Sequence, residues 1–358
     1  MNRIAVIGCG YWGPNLVRNF SQLPDSEVAV CCDLREERLR HMRTLYPFVR
    51  TTTQLDRVLE DPTINAVVIA TPVTSHHRIG MACLRAGKNV LIEKPIAASP
   101  REAVDLWEAA DERGLVLMGG HTFLFNAAVL KVKEYIESGE LGRVFYISST
   151  RVNLGIFQDD INVIWDLAPH DISILNFILN ARPLRVAAYG RSYIQSAIED
   201  VAFLTLEYPR GVTAHVHVSW LDPNKIRRTT IVGSKKMLVY DDIQTLEKVR
   251  IYDKGVSVQP HYDTFGEFQL AYRFGDIYTP KVDDSEPLKL ECVCFLESIK
   301  KGRTLQSGAE QSLWVVEALE AAQRSLRAGG KMLEVRDTAS ERRKKRPVRA
   351  REKRTRAR

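Results

Sequence analysis

Residues 3–13, RIAVIGCGYWG, contain the pattern that decides the fold of this chain. A short apolar run predicts a buried strand, and the residues after it have the spacing G-x-G-x-x-G at Gly8, Gly10 and Gly13. A stretch of helical period follows. Strand, glycine turn and helix in this order predict the first unit of a dinucleotide-binding fold, in which the glycines let a pyrophosphate approach the helix N-terminus.

A carboxylate follows the second predicted strand. Asp33 comes about 20 residues after the glycine turn, where an acidic side chain binds the two ribose hydroxyls of NAD and repels the 2′-phosphate of NADP. NAD is therefore expected rather than NADP, although Arg35 and Arg38 could weaken that preference. Tyr11 and Trp12, inside the glycine turn, are also expected to contact the cofactor.

Strands and helices alternate through the first part of the chain. Four further apolar runs predict strands, at 27–33, 65–71, 89–94 and 115–121. One intervening helix should have Ser99 as its N-cap, Pro100 at its first position and Gly114 as its stop. The alternation predicts an α/β fold with a doubly wound parallel Rossmann sheet over residues 1–120.

The apolar period changes after about residue 120. Residues 143–253 alternate between apolar and polar, which predicts a large open, mostly antiparallel sheet in an α+β domain spanning 121–338. Residues 254–286 show no clear period and predict long loops. Helices are predicted at about 126–138, 167–180, 288–301 and 308–328. Because the last three can cover only one sheet face, the other face is expected to bind a second subunit, as a dimer or tetramer.

The net charge of +7 comes from the end of the chain. Residues 341–358 hold eleven Lys or Arg and two Glu, so the remainder is close to neutral. Such a charge block predicts a disordered basic tail over 339–358, solvated or, alternatively, in contact with RNA or an anionic membrane surface.

The lack of a recognisable targeting signal and the cysteine usage predict a cytoplasmic protein. The sequence lacks an apolar run long enough for a membrane span and a recognisable signal peptide. Its six cysteines have no CxxC spacing, which suits a reducing compartment. His215 and His217 alternate on one strand face, but no third ligand lies at a telling distance, so no metal site is predicted.

Two motifs end strands at the carboxyl edge of the predicted parallel sheet, where ligands bind in this fold. IATPVTSHH should place Thr71 and Pro72 in the nucleotide cleft, with His76 at the start of the next helix, either as a cofactor contact or as a surface histidine. EKP should project Glu93 and Lys94 into the same crevice, although a strand-end lysine can also be a plain surface residue.

The run VIWDLAPHDISIL, residues 163–175, holds Asp166 and His170 among apolar residues. Pro169 lacks an N–H and is tolerated in the first turn of a helix, so a helix is expected to begin near Asp166. The helix dipole would then help to keep His170 neutral. Alternatively, Asp166 only caps the helix and His170 is a core histidine.

Together, the glycine turn, the ATP segment, EKP, the change to an antiparallel sheet and the D-x-x-x-H motif resemble the glucose-fructose oxidoreductase, inositol dehydrogenase and rhizopine-catabolism (Gfo/Idh/MocA) family. The resemblance implies an NAD-dependent sugar or cyclitol dehydrogenase. It places Lys94 beside the nicotinamide and the substrate hydroxyl, with Asp166 and His170 as the other catalytic residues and the histidine as proton acceptor. An arginine that the family often has shortly after the sixth strand is replaced here by the context of Phe125 and Asn126.

Three other residues are expected to bind substrate. His121 ends the strand predicted at 115–121. Arg151 and Asn153, two residues apart near the end of a strand, could bind a phosphate or sugar hydroxyls. The strings GYWGPNLVRNF, RVNLG and WDLAPHDIS are most similar to UDP-N-acetylglucosamine 3-dehydrogenases, which implies oxidation of a 3-hydroxyl for polysaccharide biosynthesis. A free cyclitol or sugar dehydrogenase and a non-catalytic NAD-binding regulator are the alternatives.

Overall fold

The computed structural model describes residues 1–258 and 270–345, and it contains two sheets. The first sheet has six parallel strands: β1 (Asn2–Ile7), β2 (Ser26–Cys32), β3 (Arg50–Thr52), β4 (Ala66–Ile69), β5 (Asn89–Glu93) and β6 (Leu117–Gly120). Their spatial order is β3-β2-β1-β4-β5-β6. The order reverses between β1 and β4, which is where such sheets bind ligands.

Helices connect these strands, so the predicted doubly wound sheet is confirmed. They are α1 (Gly13–Ser21), α2 (Glu36–Leu45), α3 (Asp56–Leu59), α4 (Val73–Arg85) and α5 (Pro100–Arg113). The predicted caps of α5 are also confirmed. The Ser99 hydroxyl accepts a hydrogen bond from the Glu102 N–H, and Gly114 ends the helix in the left-handed region.

The second sheet has nine strands in the order β14-β13-β12-β11-β7-β10-β9-β8-β15. They are β7 (Val144–Val152), β8 (Arg185–Arg191), β9 (Val201–Glu207), β10 (Thr213–Ser219), β11 (Ile226–Gly233), β12 (Met237–Asp241), β13 (Val249–Val258), β14 (Leu270–Tyr278) and β15 (Leu333–Glu334). The sheet is mostly antiparallel, as predicted, and β7 and β10 form a parallel pair.

The prediction of loops throughout 254–286 is wrong, because β13 extends into this range and β14 lies within it. β14 is an edge strand that is exposed along almost its whole length. Because β14 has no buried face, apolar and polar residues need not alternate along it. Its sequence therefore carries no periodic signal.

Five further helices complete the described chain: α6 (Ala127–Glu137), α7 (Val163–Leu179), α8 (Pro287–Lys301), α9 (Ala309–Arg327) and α10 (Thr338–Lys345). Short 3₁₀ segments lie at Thr122–Phe125 and Pro209–Gly211. Helices α6, α7 and α9 pack on one face of the second sheet. The prediction that α8 also covers this sheet is wrong. Helix α8 packs on α1, with the Phe295 ring 6.3 Å from that of Phe20, so the chain returns to the first sheet.

Part of the predicted disordered tail is helical. Helix α10 covers residues 339–345, and its start is fixed by the Asp337 carboxylate, which accepts hydrogen bonds from Ser340. The Thr338 N–H also donates to Glu317 at 2.7 Å. These contacts lie at the start of the helix, before the basic block. The rest of the predicted tail, 346–358, lies outside the described residues.

The uncovered face of the second sheet carries aromatic side chains. Tyr189, Phe203 and His217 lie opposite one another on neighbouring strands, and the rings of Phe203 and His217 stack at 4.4 Å. Tyr189 and Phe203 are each about half exposed. The helices of the described chain leave this face open.

Candidate active site

The turn after β1 is closed to larger residues at two of its glycines. Gly8 has a φ of +93°, and a Cβ atom there would lie 2.5 Å from the Ala70 carbonyl oxygen. A Cβ atom on Gly13 would lie 2.1 Å from the Gly8 carbonyl oxygen. At Gly10 the nearest atom would be a nitrogen of the flexible Arg38 side chain, at 3.6 Å. The main chain of the turn is therefore bare at the N-terminus of α1, where a phosphate can approach.

Asp33 follows β2 and binds the glycine turn directly. Its Oδ2 atom accepts a hydrogen bond of 2.7 Å from the Cys9 N–H, and its Oδ1 atom accepts one of 2.8 Å from the Arg35 N–H. Arg38 lies 3.4 Å from the same carboxylate. Sequence reasoning predicted a ribose ligand and missed these backbone contacts, which hold the carboxylate in place.

We call the cavity beside Asp33 the first crevice; it measures about 440 Å³ and is also lined by Gly8, Thr71 and Pro72. His76 is absent from this lining. Burial lowers the pKa of the imidazole.

Both ring nitrogens of His76 are already engaged. Nδ1 lies 2.9 Å from the Pro95 carbonyl oxygen and Nε2 lies 2.7 Å from the Thr71 carbonyl oxygen. His76 therefore joins the turns after β4 and β5, and it is buried rather than a surface residue.

On the other side of the glycine turn lies a cavity of about 440 Å³, which we call the second crevice; Tyr11, Trp12, Glu93, Lys94 and His170 line it. The structure thus brings together residues from the glycine turn, from EKP and from D-x-x-x-H.

Lys94 and Asp166 form a direct ion pair at the second crevice. The Lys94 ammonium donates to the Asp166 Oδ1 atom at 3.1 Å and to the Asp166 carbonyl oxygen at 2.8 Å. The Trp220 indole N–H donates to the other carboxylate oxygen at 2.9 Å. Because both carboxylate oxygens and the carbonyl are engaged, Asp166 holds Lys94 in a fixed place.

His170 lies deep in the second crevice, against Phe123. The two ring centroids are 5.1 Å apart in an edge-to-face arrangement. Burial lowers the pKa of His170 well below its usual value, and the positive charges of Lys94 and Arg151 lower it further. Its Nδ1 atom is buried and has no hydrogen-bond partner among the described residues. Because His170 lines the crevice and is neutral, its imidazole can accept a proton from a bound ligand.

The predicted start of α7 is wrong by three residues. The helix begins at Val163, and its N-cap is Asn162, whose side chain accepts a hydrogen bond from the Trp165 N–H. Asp166 is therefore not the cap, and Pro169 lies inside the helix. Since Pro169 has no N–H, the Trp165 carbonyl loses its helical donor there. His170 is about two turns from the N-terminus, so burial and nearby cations, more than the helix dipole, keep it neutral.

A second buried carboxyl group lies near Glu93. Burial raises the pKa of Glu93 to about 7, and the nearby Lys94 charge opposes this shift. Glu291 of α8 is fully buried and accepts a hydrogen bond of 2.9 Å from the Thr122 hydroxyl. Burial and the Glu93 carboxylate raise its pKa. Each carboxylate therefore disfavours the charged form of the other.

The residues predicted to bind substrate are mostly enclosed. His121 is buried with both ring nitrogens unpartnered among the described residues, and burial lowers its pKa to about 4. Arg151 is buried and donates from Nε to Asp171 at 2.6 Å. Asn153 pairs through its N–H with the Ser219 carbonyl. None of the three residues is part of the lining of the second crevice.

Sequence reasoning missed other residues of the second crevice. Arg227 and Asp242 reach it from the second sheet, and Asn126 from the start of α6. Trp220, which binds Asp166, was also missed. No local spacing links these residues with EKP, because only the register of the second sheet brings them to the crevice.

A cluster of three or more His, Cys, Asp or Glu side chains that could hold a metal ion is absent from residues 1–258 and 270–345. Over the same ranges, the helices are all too short or too polar to cross a membrane.

The parallel sheet with its bare glycine turn is typical of dinucleotide-binding proteins, and a crevice lined by polar residues adjoins the turn. Comparison with known families agrees with this. Residues 2–121 match the oxidoreductase family with an NAD-binding Rossmann fold, and residues 129–239 match the C-terminal domain of the same family. The chain belongs to the Gfo/Idh/MocA family and is an NAD-binding enzyme.

Individual relatives are distant in sequence. The chain is 24% identical to the myo-inositol 2-dehydrogenase of Thermotoga maritima over 90% of this chain and 96% of that protein. It resembles the structure of GenD2 from gentamicin A biosynthesis, solved with NAD, with a TM-score of 0.78, 24% identity and coverage of 94% and 96%. A UDP-N-acetylglucosamine 3-dehydrogenase from Acidithiobacillus ferrooxidans gives a TM-score of 0.75, 24% identity and coverage of 91% and 98%. At this identity, the two structural matches show the fold.

The residues present fit an NAD molecule. A Cβ atom on Gly8 or Gly13 would collide with neighbouring main chain, so the turn is tight and carries no side chain at these positions, which suits a pyrophosphate at the N-terminus of α1. Asp33 lines the first crevice with a carboxylate that suits ribose hydroxyls. Tyr11 and Trp12 flank the second crevice, into which the nicotinamide end would extend.

Proposed function

We propose that this enzyme oxidises a secondary hydroxyl of a sugar or cyclitol in the second crevice. The observation that carries the proposal is the ion pair of Lys94 with Asp166 in the crevice that also holds His170. NAD, when bound, supplies the acceptor for the hydride that leaves the substrate carbon. The chain's own residues must then take the hydroxyl proton and stabilise the oxygen.

Each of the three residues has a distinct role in this proposal. His170 accepts the hydroxyl proton, because it lines the second crevice and its lowered pKa keeps the imidazole neutral. Lys94 places a positive charge near the substrate oxygen and stabilises the alkoxide as it forms. Asp166 positions Lys94, since its contacts are with Lys94 and Trp220.

Two substrate classes are candidates. The first is a UDP-N-acetyl amino sugar, oxidised at its 3-hydroxyl during polysaccharide biosynthesis, which the sequence strings around the glycine turn and D-x-x-x-H support. The second is a free cyclitol, which the similarity to an inositol dehydrogenase over nearly the whole chain supports. The fold alone does not choose between them.

A substrate panel tests this proposal. Purified enzyme is incubated with NAD and either UDP-N-acetylglucosamine, other UDP-sugars or inositols, and NADH absorbance is followed. We expect turnover of at least one substrate and a loss of about 10²- to 10⁴-fold in His170→Ala. If NAD binds but no substrate of either class gives NADH, the dehydrogenase proposal fails and a non-catalytic NAD-binding role is favoured.

We further propose that the enzyme is a cytoplasmic homo-oligomer, a dimer or tetramer assembled through the open face of the second sheet. The half-exposed Tyr189 and Phe203 on this face support the assembly, because exposed aromatic patches commonly mark interfaces. Sedimentation of wild type and Phe203→Glu tests it. We expect an oligomer for the wild type and a smaller species for the variant, whereas a monomeric wild type would refute it.

A further inference from the structure

One wall of the second crevice comes from the second sheet. Arg227 lies on β11, Asp242 follows the end of β12, and Asn126 caps α6. All three line the crevice that also contains Lys94 and His170. The catalytic proposal leaves this wall without a role.

Three arginines lie at or near this crevice, and they differ in how firmly they are held. Arg151, which is opposite Arg227 in the strand register, is buried and tied to Asp171 at 2.6 Å. Arg18 donates through both terminal nitrogens to the Glu286 carboxylate. Arg227 instead has a 3.3 Å contact with Asp242, and 36% of its side chain is exposed.

Asp242 is fixed by other donors as well as by Arg227. Its Oδ1 atom accepts hydrogen bonds from the Asn126 amide at 3.2 Å and from the Tyr240 hydroxyl at 3.0 Å. The carboxylate therefore stays in place without a tight arginine contact. A guanidinium group has five N–H donors, so Arg227 keeps several donors for a ligand while Asp242 anchors it from one side.

Arg227 is close to the proposed reaction centre. Its guanidinium carbon lies 5.9 Å from the centroid of the Phe123 ring, and the His170 ring lies 5.1 Å from the same centroid. The charge of Arg227 also contributes to the lowered pKa of His170. Both residues also line the second crevice, so one ligand bound there can contact both.

We propose that Arg227 is a specificity-determining residue that binds an oxyanion of the substrate, a phosphate or a carboxylate. The inference rests on the proposed oxidation of a sugar-type alcohol and deepens it, because it names the chemical group by which the enzyme selects its substrate. A neutral polyol lacks this group and gains little from Arg227. Charge-assisted hydrogen bonds to an arginine supply the selectivity.

The neighbouring residue provides a matched control. Arg228 pairs with Asp241 at 3.1 Å as Arg227 pairs with Asp242, but Arg228 does not line the crevice. Arg227→Gln removes the charge at the crevice, Arg227→Lys keeps it, and Arg228→Gln removes a charge from the same strand. Retained NAD binding shows that each variant is folded.

The probes are UDP-N-acetylglucosamine for a phosphate, glucuronate for a carboxylate and myo-inositol for a neutral polyol. Binding to the enzyme saturated with NAD is measured by calorimetry, and turnover by NADH absorbance. We expect Arg227→Gln to weaken binding of one anionic probe by about 10- to 100-fold and to change binding of myo-inositol by less than about 3-fold. Arg227→Lys should restore part of the affinity, and Arg228→Gln should match the wild type.

The outcomes separate this inference from the proposed function. Arg227-dependent binding of an anionic probe without any turnover would support the inference and count against the dehydrogenase proposal. Turnover of myo-inositol, with neither anionic probe bound, would overturn the inference and support the dehydrogenase. An equal loss for anionic and neutral probes in Arg227→Gln would show a structural role and also overturn it.

Discussion

The two crevices on either side of the glycine turn are built in different ways. The first crevice depends on main chain, because Gly8 and Gly13 leave the turn bare and Asp33 is held by backbone N–H groups. The second crevice depends on side chains that converge from distant segments, such as Lys94 and His170. We infer that the first crevice binds a part of NAD that many enzymes recognise in the same way. In the second crevice, side-chain substitutions can change which substrate is bound.

If the two crevices differ in this way, a substitution in the second crevice should have the largest effect on catalysis. Replacing Lys94 with Met removes the ammonium group while keeping a similar length. We expect kcat/KM to fall by about 10²- to 10³-fold, because a preorganised charge next to the substrate oxygen is lost. The dissociation constant for NAD should change by less than about 3-fold.

Fluorescence titration with NAD and steady-state kinetics measure these two quantities. Lys301→Met, a change in the exposed last turn of α8, serves as a control and should leave both unchanged. A large loss of NAD binding in Lys94→Met, with little change in kcat, would place Lys94 in the cofactor site alone and break the proposed division between the crevices.

A smaller effect is expected in the first crevice. Asp33→Asn removes the negative charge that should repel the 2′-phosphate of NADP. We expect the preference for NAD over NADP to fall by about 10-fold or more, while kcat with saturating NAD changes little. The nearby Arg35 and Arg38 should favour the phosphate once the carboxylate is gone.

Kinetics with each cofactor, with Asp25→Asn in the exposed preceding turn as a control, measure this preference. An unchanged cofactor preference in Asp33→Asn would mean that the carboxylate serves only the glycine turn, through its contact with Cys9.

The smallest predicted effect concerns stability at low pH. Burial lowers the pKa of His121 to about 4, so between about pH 6.5 and 4 the unfolded chain binds a proton that the folded enzyme does not. This histidine therefore makes the enzyme less stable as the pH falls. As the pH falls through this range, the free energy of unfolding should decrease less steeply in His121→Asn than in the wild type, by about 1.4 kcal/mol per pH unit.

Urea unfolding at several pH values gives this slope. His41→Gln changes an exposed histidine and should leave the slope as in the wild type. An unchanged slope in His121→Asn would indicate that His121 is protonated in the folded enzyme and that its surroundings are less apolar than the structure suggests.

The first crevice could be predicted from sequence more fully than the second. Its main-chain part follows from local spacing, because the glycines and Asp33 lie at fixed distances along one βαβ unit. Lys94, Asp166 and His170 were also found, through their motifs. Asp166 was expected to be a catalytic residue or only a helix cap, and the structure pairs it with Lys94 and Trp220.

The departures from prediction at Arg151 and at the start of α7 have different physical causes. Arg151 and Arg227 are opposite each other in the sheet register, and only the position of Asp171 decides that Arg151 is buried in an ion pair. A strand pattern reveals which residues share a face, but it does not reveal which of two facing arginines has a buried carboxylate next to it. The helix start was misplaced because Asn162 is a stronger signal for an N-cap than Pro169 is for a first turn.

The central claim is that a carbon-bound hydrogen of a sugar or cyclitol passes to NAD in the second crevice. Its most direct test uses myo-inositol and UDP-N-acetylglucosamine that carry deuterium at every carbinol carbon, with mass spectrometry of the nicotinamide product. We expect deuterium in the reduced nicotinamide with the wild type and at least about 100-fold less in His170→Ala. Bound NAD without any deuterium transfer from either substrate would contradict the claim.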